Sequence, residues 1–473
     1  MRLNSRVRAI WFGCGRIAVD PRKHDVKDDI HMAVPNPALL WRKTNAPVSS
    51  SRTDDIWFAS PESGWAVNSN GQILKTGDGG NSWTVQHQDG SVYLRCVGFA
   101  GASAGWVGSV TPAKRLFRTN NGGAAWSVVD NLPPKPAKIC GISVVDEQVV
   151  YASGTNDPRD DPAIVRTTDG GATWTLIEMS AHAALLVDIH FQTRNRGWVV
   201  GGRDAVACAG RRATREVVRP VVLFTEDGGA TWTDLIPRSA ERNFPCGEWG
   251  WKIFFVDDRV AFVALENFLD GAILKSTDGG MTWTRLRIND RQRNSNLEGI
   301  GFITEDIGWV GGWGDVGFAG GFTSQTQDGG KNWENANEVG FRLNRFRFFG
   351  NPVTVGYASG DTIYKYSTEA VGPAHAIALA GPTLLKTVQR LGVSSGPVDV
   401  VVDVPQGART LNANVWDRFG NHLELVAQER PNPGQRIIHW NPSDAAAGHL
   451  LGNTGIIRVA IDDRIESSLV ALA

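Results

Sequence analysis

Of 473 residues only five are cysteines and only four are methionines. Cys14, Cys96, Cys140, Cys208 and Cys246 form no CxxC pair and have no histidines at zinc-ligand spacing. A dense disulfide scaffold is therefore excluded, and no metal site is expected. No stretch approaches the roughly 18 apolar residues of a membrane-crossing helix, so no integral membrane segment is expected. Neither sign of charge dominates, with 48 basic and 49 acidic side chains giving a net charge of −1. Together with 42% hydrophobic content, that balance excludes an acidic disordered chain. It also gives no global reason to bind nucleic acid, and no nucleic-acid partner is expected. The signatures G-x-S-x-G, H-E-x-x-H and the P-loop are missing as well, and no cofactor is expected.

A secretory signal is also lacking at the N-terminus. Arg2, Arg6, Arg8 and Arg16 surround one short apolar run, Ala9-Ile-Trp-Phe12, with no longer apolar core and no small-residue cleavage site. The expectation is a cytoplasmic chain in which residues 1–36 form a tail or follow a misplaced start, since Met32 lies just before the repeats begin.

What the chain has in excess is glycine, 54 residues, and tryptophan, 18 residues. Glycine punctuation with large aromatic anchors points to short strands and tight turns. One pattern recurs: Thr76-Gly-Asp78-Gly-Gly-Asn-Ser-Trp83 returns around Asn121, Asp169, Asp227, Asp278 and Asp328. The spacings of 43, 48, 58, 51 and 50 residues suit one four-stranded propeller blade per copy. Gly64-Trp-Ala-Val, Gly105-Trp-Val-Gly, Gly197-Trp-Val-Val and Gly308-Trp-Val-Gly precede their boxes, and segments such as Asp55-Ile-Trp-Phe58 come earlier still. Each unit reads as strands A to D, with the acidic turn between C and D. In that turn the carboxylate can accept backbone N–H groups, and the glycines permit positive φ. The tryptophan can then bury its ring between layers. This account is complete without a ligand, so Asp78, Asn121, Asp169, Asp227, Asp278 and Asp328 are expected to be structural.

These residues resemble the Asp-box repeats of sialidases, sortilin-type receptors and xyloglucan-degrading hydrolases. The order of G-W-x-V-G before T-x-D-G-G-x-T-W is more similar to the propellers of photosystem II stability/assembly factors. The resemblance covers about residues 38–368 and implies architecture rather than activity. Six boxes imply six blades, and Gly356-Tyr-Ala-Ser-Gly…Tyr366 supplies strands of a seventh. Ala38-Leu-Leu-Trp41-Arg is placed to complete that last blade and remove the open edges of the ring. The expected fold is therefore all-β: a seven-bladed β-propeller over 37–368, a linker over 369–376, and a β-sandwich over 377–473. The last part, with Ala413-Asn-Val-Trp-Asp417-Arg-Phe-Gly420 and His439-Trp440, resembles the immunoglobulin-like domain of flagellar hook-capping proteins. Pro442 and Gly455-Ile depart from that family's pattern. The likeness implies an accessory domain for packing or attachment.

In such a blade the A–B and C–D turns lie on one face, and the B–C and D–A loops on the other. Binding groups are expected in the second set, because loops on a rigid scaffold carry recognition. A long segment at about 202–220 holds Arg203, Arg211, Arg212, Arg215 and Arg219 against only Asp204 and Glu216. Neighbouring D–A loops add Arg238 and Arg242, then Arg285, Arg287, Arg291 and Arg293, then Arg342, Arg345 and Arg347. Guanidinium groups bind carboxylates and phosphates bidentately, so this face is expected to attract an anionic surface. The bland alternative is that these arginines solvate their loops or pair with Glu241, Asp290 and Glu298. Cys208 and Cys246 fall on the same face. A bond between them would pin the long loop and require an oxidising compartment, hence export. Trp251 and Trp313 also lie there, as stacking groups for a sugar or peptide or, more simply, as core.

A sialidase would need three convergent arginines, a Tyr–Glu nucleophile and an acidic group. Tyr364 or Tyr366 with Asp361 offer parts of this, but the family's F/Y-R-I-P segment is missing. Asp55 and Asp188 stand by position as a possible acid–base pair. Two readings follow. The first is a non-enzymatic, assembly-factor-like propeller that docks a protein partner or anionic ligand through its arginine-rich face. The alternative is a glycan-binding or glycoside-hydrolysing propeller working in its central channel.

Overall fold

In the computed structural model the described residues are 39–47, 52–158, 160–204, 215–267, 270–292, 294–314, 320–369, 385–390, 398–417, 421–441, 454–462 and 464–471. Among them, seven four-stranded antiparallel sheets precede residue 369. The first six are simple meanders whose opening strands are Thr53–Phe58, Leu94–Ala100, Gly141–Val144, Leu185–Phe191, Glu248–Phe255 and Ser295–Phe302. The seventh runs Arg345–Phe349, Val355–Ser359, Ile363–Ser367, and takes its fourth strand, Leu40–Lys43, from the other end of the chain. There Trp41 pairs with Tyr366 and Lys43 with Tyr364. Opening strands of successive sheets pack on one another, and Thr53–Phe58 packs on Arg345–Phe349.

The recurring Gly-Trp dipeptide has a packing cause. A side chain at Gly64, Gly105, Gly197 or Gly308 would collide with Phe58, Phe99, Phe191 or Phe302 of the strand beside it. With no Cβ in the way, that phenylalanine lies flat and stacks on the aromatic ring of the preceding sheet. Phe99 stacks on Trp65 at 4.0 Å, Phe191 on Tyr151 at 3.6 Å, Phe302 on Phe262 at 3.6 Å and Phe58 on Tyr357 at 3.8 Å. Burying such rings drives the sheets together at about 25 cal/mol per Å² of apolar surface.

The acidic turns tie the same junctions. Both box glycines have positive φ in all six copies. Thr76 Oγ1 donates to Asp78 Oδ1 at 2.9 Å, and the Ser82 N–H to the same oxygen at 2.8 Å. Asn121 keeps this geometry, accepting from Thr119 Oγ1 at 2.9 Å and the Ala125 N–H at 3.0 Å. Box carbonyls then receive donors from the preceding sheet. Trp65 Nε1 donates to Gly122, Tyr151 Oη to Gly228, Trp198 Nε1 to Gly280 and Tyr357 Oη to Gly79.

After residue 369 the described strands form two further sheets. One has the order Leu385–Arg390, Val398–Val404, Gly434–Trp440; the other His422–Glu429, Leu411–Asp417, Thr454–Ile461, Arg464–Ala471. They enclose one apolar cluster that includes Val398, Val400, Leu411, Val415, Trp440 and Val459. The β-propeller class follows from these sheets and from the solved structures described below.

Candidate functional site: a buried charge assembly where the opening strands begin

Five opening strands carry an extra residue at equivalent places. Register with the second strand skips between Thr53 and Asp55, Leu94 and Cys96, Leu186 and Asp188, Gly250 and Lys252, and Leu297 and Gly299. The residues passed over are Asp54, Arg95, Val187, Trp251 and Glu298. A bulge re-aims a side chain that regular pleating would send elsewhere. In all but the Val187 case it places a charged or aromatic side chain where the opening strands begin, from separate sheets.

The result is a buried charge assembly whose members Arg52, Asp54, Asp55, Arg95, Asp188, Lys252, Glu298 and Arg345 are each at most 7% exposed. It has two neutral halves. In one, Arg52 pairs with Glu298 and, at 2.8 Å, with Asp54, which also takes Arg95 at 2.8 Å. In the other, Arg345 grips Asp188 through both Nη atoms at 3.0 and 2.8 Å and reaches Asp55 through Nε at 2.9 Å. Lys252 adds a cation 3.9 Å from Asp188. Neighbouring Asp54 and Asp55 serve different halves because Asp54 is the extra residue of the bulge while Asp55 keeps its place opposite Val67. Trp313 donates to Glu298 at 2.9 Å and lies 4.7 Å under Arg52; Trp251 lies 4.9 Å under Arg95.

Burial alone would raise the Asp188 carboxyl, but Arg345 and Lys252 outweigh it and hold the group down at about 2. Burial likewise opposes the Arg345 charge, yet Asp188 and Asp55 keep its guanidinium above the ordinary value. His190, stacked 4.8 Å from Phe255, is pushed down to about 4 by burial, with Arg347 and Arg345 acting the same way and Asp188 opposing. The carboxylates and cations of the assembly are paired and enclosed. They make a structural joint between sheets distant in sequence, with Asp55 and Asp188 bound to one guanidinium rather than facing across an open cleft.

The expected binding residues separate into three groups. Arg203, Arg215 and Arg345 are buried, at 3%, 2% and 7% exposure, not presented on loops. Arg203 lies on the strand Gly197–Asp204, directly opposite Arg219, because the Val218–Thr225 strand extends the sheet. Its guanidinium is consumed by Glu241 at 2.8 Å, by Asp234 and by the Ile236 carbonyl. Arg215 sits 5.3 Å over Trp249 and donates to the Asn156 carbonyl. Trp251 and Trp313 are core. Arg242 and Arg291 are exposed, and Arg219 is half-buried 3.8 Å from Cys246 Sγ. Arg211 and Arg212 lie outside the described residues. Among their neighbours, Arg285 pairs with buried Glu248 at 2.6 Å and Arg287 with Asp270 at 2.9 Å.

Sequence reasoning missed the axial assembly. Its one local trace is a charged residue just before an I-x-F strand, as in Asp54-Asp55-Ile, Asp188-Ile and Glu298-Gly-Ile. Cys246 is disulfide-bonded, whereas buried Cys96 and Cys140 are free; Cys208 lies outside the described residues. Among the described residues no helix is long and apolar enough to cross a membrane, and no cluster of three or more His, Cys, Asp or Glu could hold a metal ion.

Residues 35–185 match the family model described as photosynthesis system II assembly factor YCF48. The photosystem II assembly lipoprotein Ycf48 of Trichormus variabilis is 25% identical over 300 residues, covering 57% of this chain and 83% of its own. A solved structure of YCF48 bound to D1 peptide superposes with a TM-score of 0.50 at 19% identity, covering 71% of this chain and 99% of its own. The GH74 enzyme of Niastella koreensis also has a TM-score of 0.50, at 12% identity, covering 90% of this chain and 73% of its own. At those identities the two structures speak for the fold alone. The relative's designation as a lipoprotein leaves the cytoplasmic expectation without support. The chain is a β-propeller similar to the photosystem II assembly factor Ycf48.

Proposed function

We propose that this chain is a non-enzymatic, assembly-factor-like propeller of seven blades closed by the Leu40–Lys43 strand, followed by an immunoglobulin-like accessory sandwich. Its partner is a protein, docked through the arginine-bearing segments that join successive blades. The reading rests on one observation: Arg242 and Arg291 stay exposed at the end of the sheets opposite the acidic turns, while the carboxylates of the axis are already taken. A relative that binds D1 peptide supports a peptide-like partner. The glycan alternative loses its positional acid pair, since Asp55 and Asp188 share Arg345. Export or membrane association fits better than a cytoplasmic site, given the lipoprotein relative and the oxidised Cys246.

The test is fluorescence anisotropy with a labelled D1 peptide at low ionic strength. Arg242→Glu with Arg291→Glu is expected to weaken binding at least about tenfold, more at low salt than at high, because exposed charge is screened within a Debye length of about 10 Å at 0.1 M. A binding curve unmoved by both reversals, in a variant that melts normally, would remove this face as the docking surface.

A further inference from the structure

The hairpin Thr454–Ile461 and Arg464–Ala471 lies against the propeller at the end where the arginine segments emerge. Arg458, 2% exposed, donates to the carbonyls of Gly90 at 2.7 Å, Val92 at 3.2 Å and Ser69, with Trp416 4.8 Å beneath it. Trp416 and Ile456 close on Tyr93, Val110 and Cys140 in one buried cluster. Ser467 bonds Asn70, and Asn421 reaches Asp157 at 3.4 Å. Gly90 leaves room for Ile465, whose Cδ1 a Cβ there would meet at 2.3 Å. The contacts fall on the first three sheets and on their joining loops. Tyr93 is the hinge of the arrangement, since its hydroxyl also receives Arg95 of the axial assembly at 3.4 Å.

The chemistry of this contact differs from that of the axis. Arg458 has no carboxylate partner among the described residues; its acceptors are backbone carbonyls that water can satisfy equally well. Burial pulls its guanidinium down to about 10, against the opposing pull of Tyr93 and Asp89. These bonds tie the closed arrangement, but water can replace them when the contact opens, so opening strands no buried carboxylate at Arg458.

We infer that the C-terminal two-sheet unit is a cap on the propeller of its own chain, seated over the first three sheets through Arg458 and able to lift. Lifting would uncover Tyr93, Val110 and the thiol of Cys140 at the same end of the sheets as the proposed docking segments. That the cap then competes with a protein partner rests on the docking reading above; that it lifts does not.

Cys140 reports the motion and Cys96, enclosed within the propeller by Gly108 and Ile139, is the control. The full-length chain is labelled with a maleimide under native conditions, and each site is followed by peptide mass mapping. Arg458→Ala is expected to speed Cys140 labelling at least about tenfold with Cys96 unchanged. Gly90→Val, which displaces Ile465 from the propeller side, should do the same if the first variant folds poorly. Labelling of Cys140 that stays at the wild-type rate in both, or that rises only together with Cys96, overturns the cap. In a parallel arm, D1 peptide should bind the opened variants more tightly than wild type. Peptide binding to none of the proteins would count against the docking reading while the Cys140 rates still decide the cap.

Discussion

The axis and the cap contact bury arginines within one residue's reach of each other, on either side of Tyr93, yet they are built in opposite ways. At the axis every guanidinium meets carboxylates: Arg52 with Asp54 and Glu298, Arg95 with Asp54, Arg345 with Asp55 and Asp188. The partners come from every sheet of the propeller except the one opening with Gly141–Val144, so none of the others can leave without stranding a charge. At the cap, Arg458 rests on three carbonyls and an indole. Matched charge in a closed space costs dearly when one partner goes, whereas a lone cation on carbonyls has a ready substitute in water. The first arrangement suits a joint and the second a latch.

The widest gap between the two should appear on removing one arginine from each. Arg345→Ala takes the guanidinium from Asp55 and leaves Asp188 only Lys252, 3.9 Å away, and loss of one member of a buried ion pair costs about 3–5 kcal/mol. Urea denaturation of the full chain should show that fall in propeller stability, while Arg458→Ala leaves the propeller transition near its wild-type midpoint. Equal losses from the two variants would erase the distinction.

Acid should sharpen it next. The Asp188 carboxyl is held at about 2 in the folded chain against an ordinary 3.8. A lowered folded value means stabilisation that is complete above about pH 4 and disappears as pH falls toward 2. The shift corresponds to about 2 kcal/mol for this buried group. Denaturation midpoints measured from pH 5 to pH 2 should therefore fall, and Asp188→Asn should flatten that limb. Cap opening, followed by Cys140 labelling, should not track the Asp188 titration, because the described acceptors of Arg458 are carbonyls and Asp188 lies in the axial assembly. A limb that persists unchanged in Asp188→Asn would assign the acid sensitivity elsewhere.

How much of this could be read in advance depends on how local its cause is. The acidic turn is written within eight consecutive residues, and the Gly-Trp pair within one strand; both repeat, so both were legible. The closing strand around Trp41 was legible because a ring of meanders leaves one edge to fill. The bulges were not, since a register skip depends on the facing strand and leaves no composition of its own. Nor were the pairs they make: Arg52 and Glu298 are 246 residues apart, Asp55 and Arg345 290. Arginines counted as one basic face were for this reason misread in part. Arg203, Arg215 and Arg345 belong to the interior, and only an explicit three-dimensional partner distinguishes them from Arg242 and Arg291.

The smallest expected effect contrasts the buried axis with the exposed acidic turns. In the third turn, Asp169 Oδ2 accepts the Thr173 hydroxyl at 2.6 Å, and Oδ1 accepts Thr167 Oγ1 at 2.7 Å and the Thr173 N–H at 2.9 Å. The hydroxyl and amide of Thr173 lead in bringing its carboxyl down to about 2. The second turn works without the first of these bonds, because Ala125 stands where the hydroxyl would be, and Asn121 retains the other two. Asp169→Asn with Thr173→Ala copies that natural turn into the third sheet. Thermal melting should therefore show a shift far smaller than that of Arg345→Ala, since the exposed carboxylate holds its turn through bonds that an amide oxygen replaces. A collapse as large as the axial variant's would mean that the charge itself, rather than an acceptor oxygen, holds these turns closed.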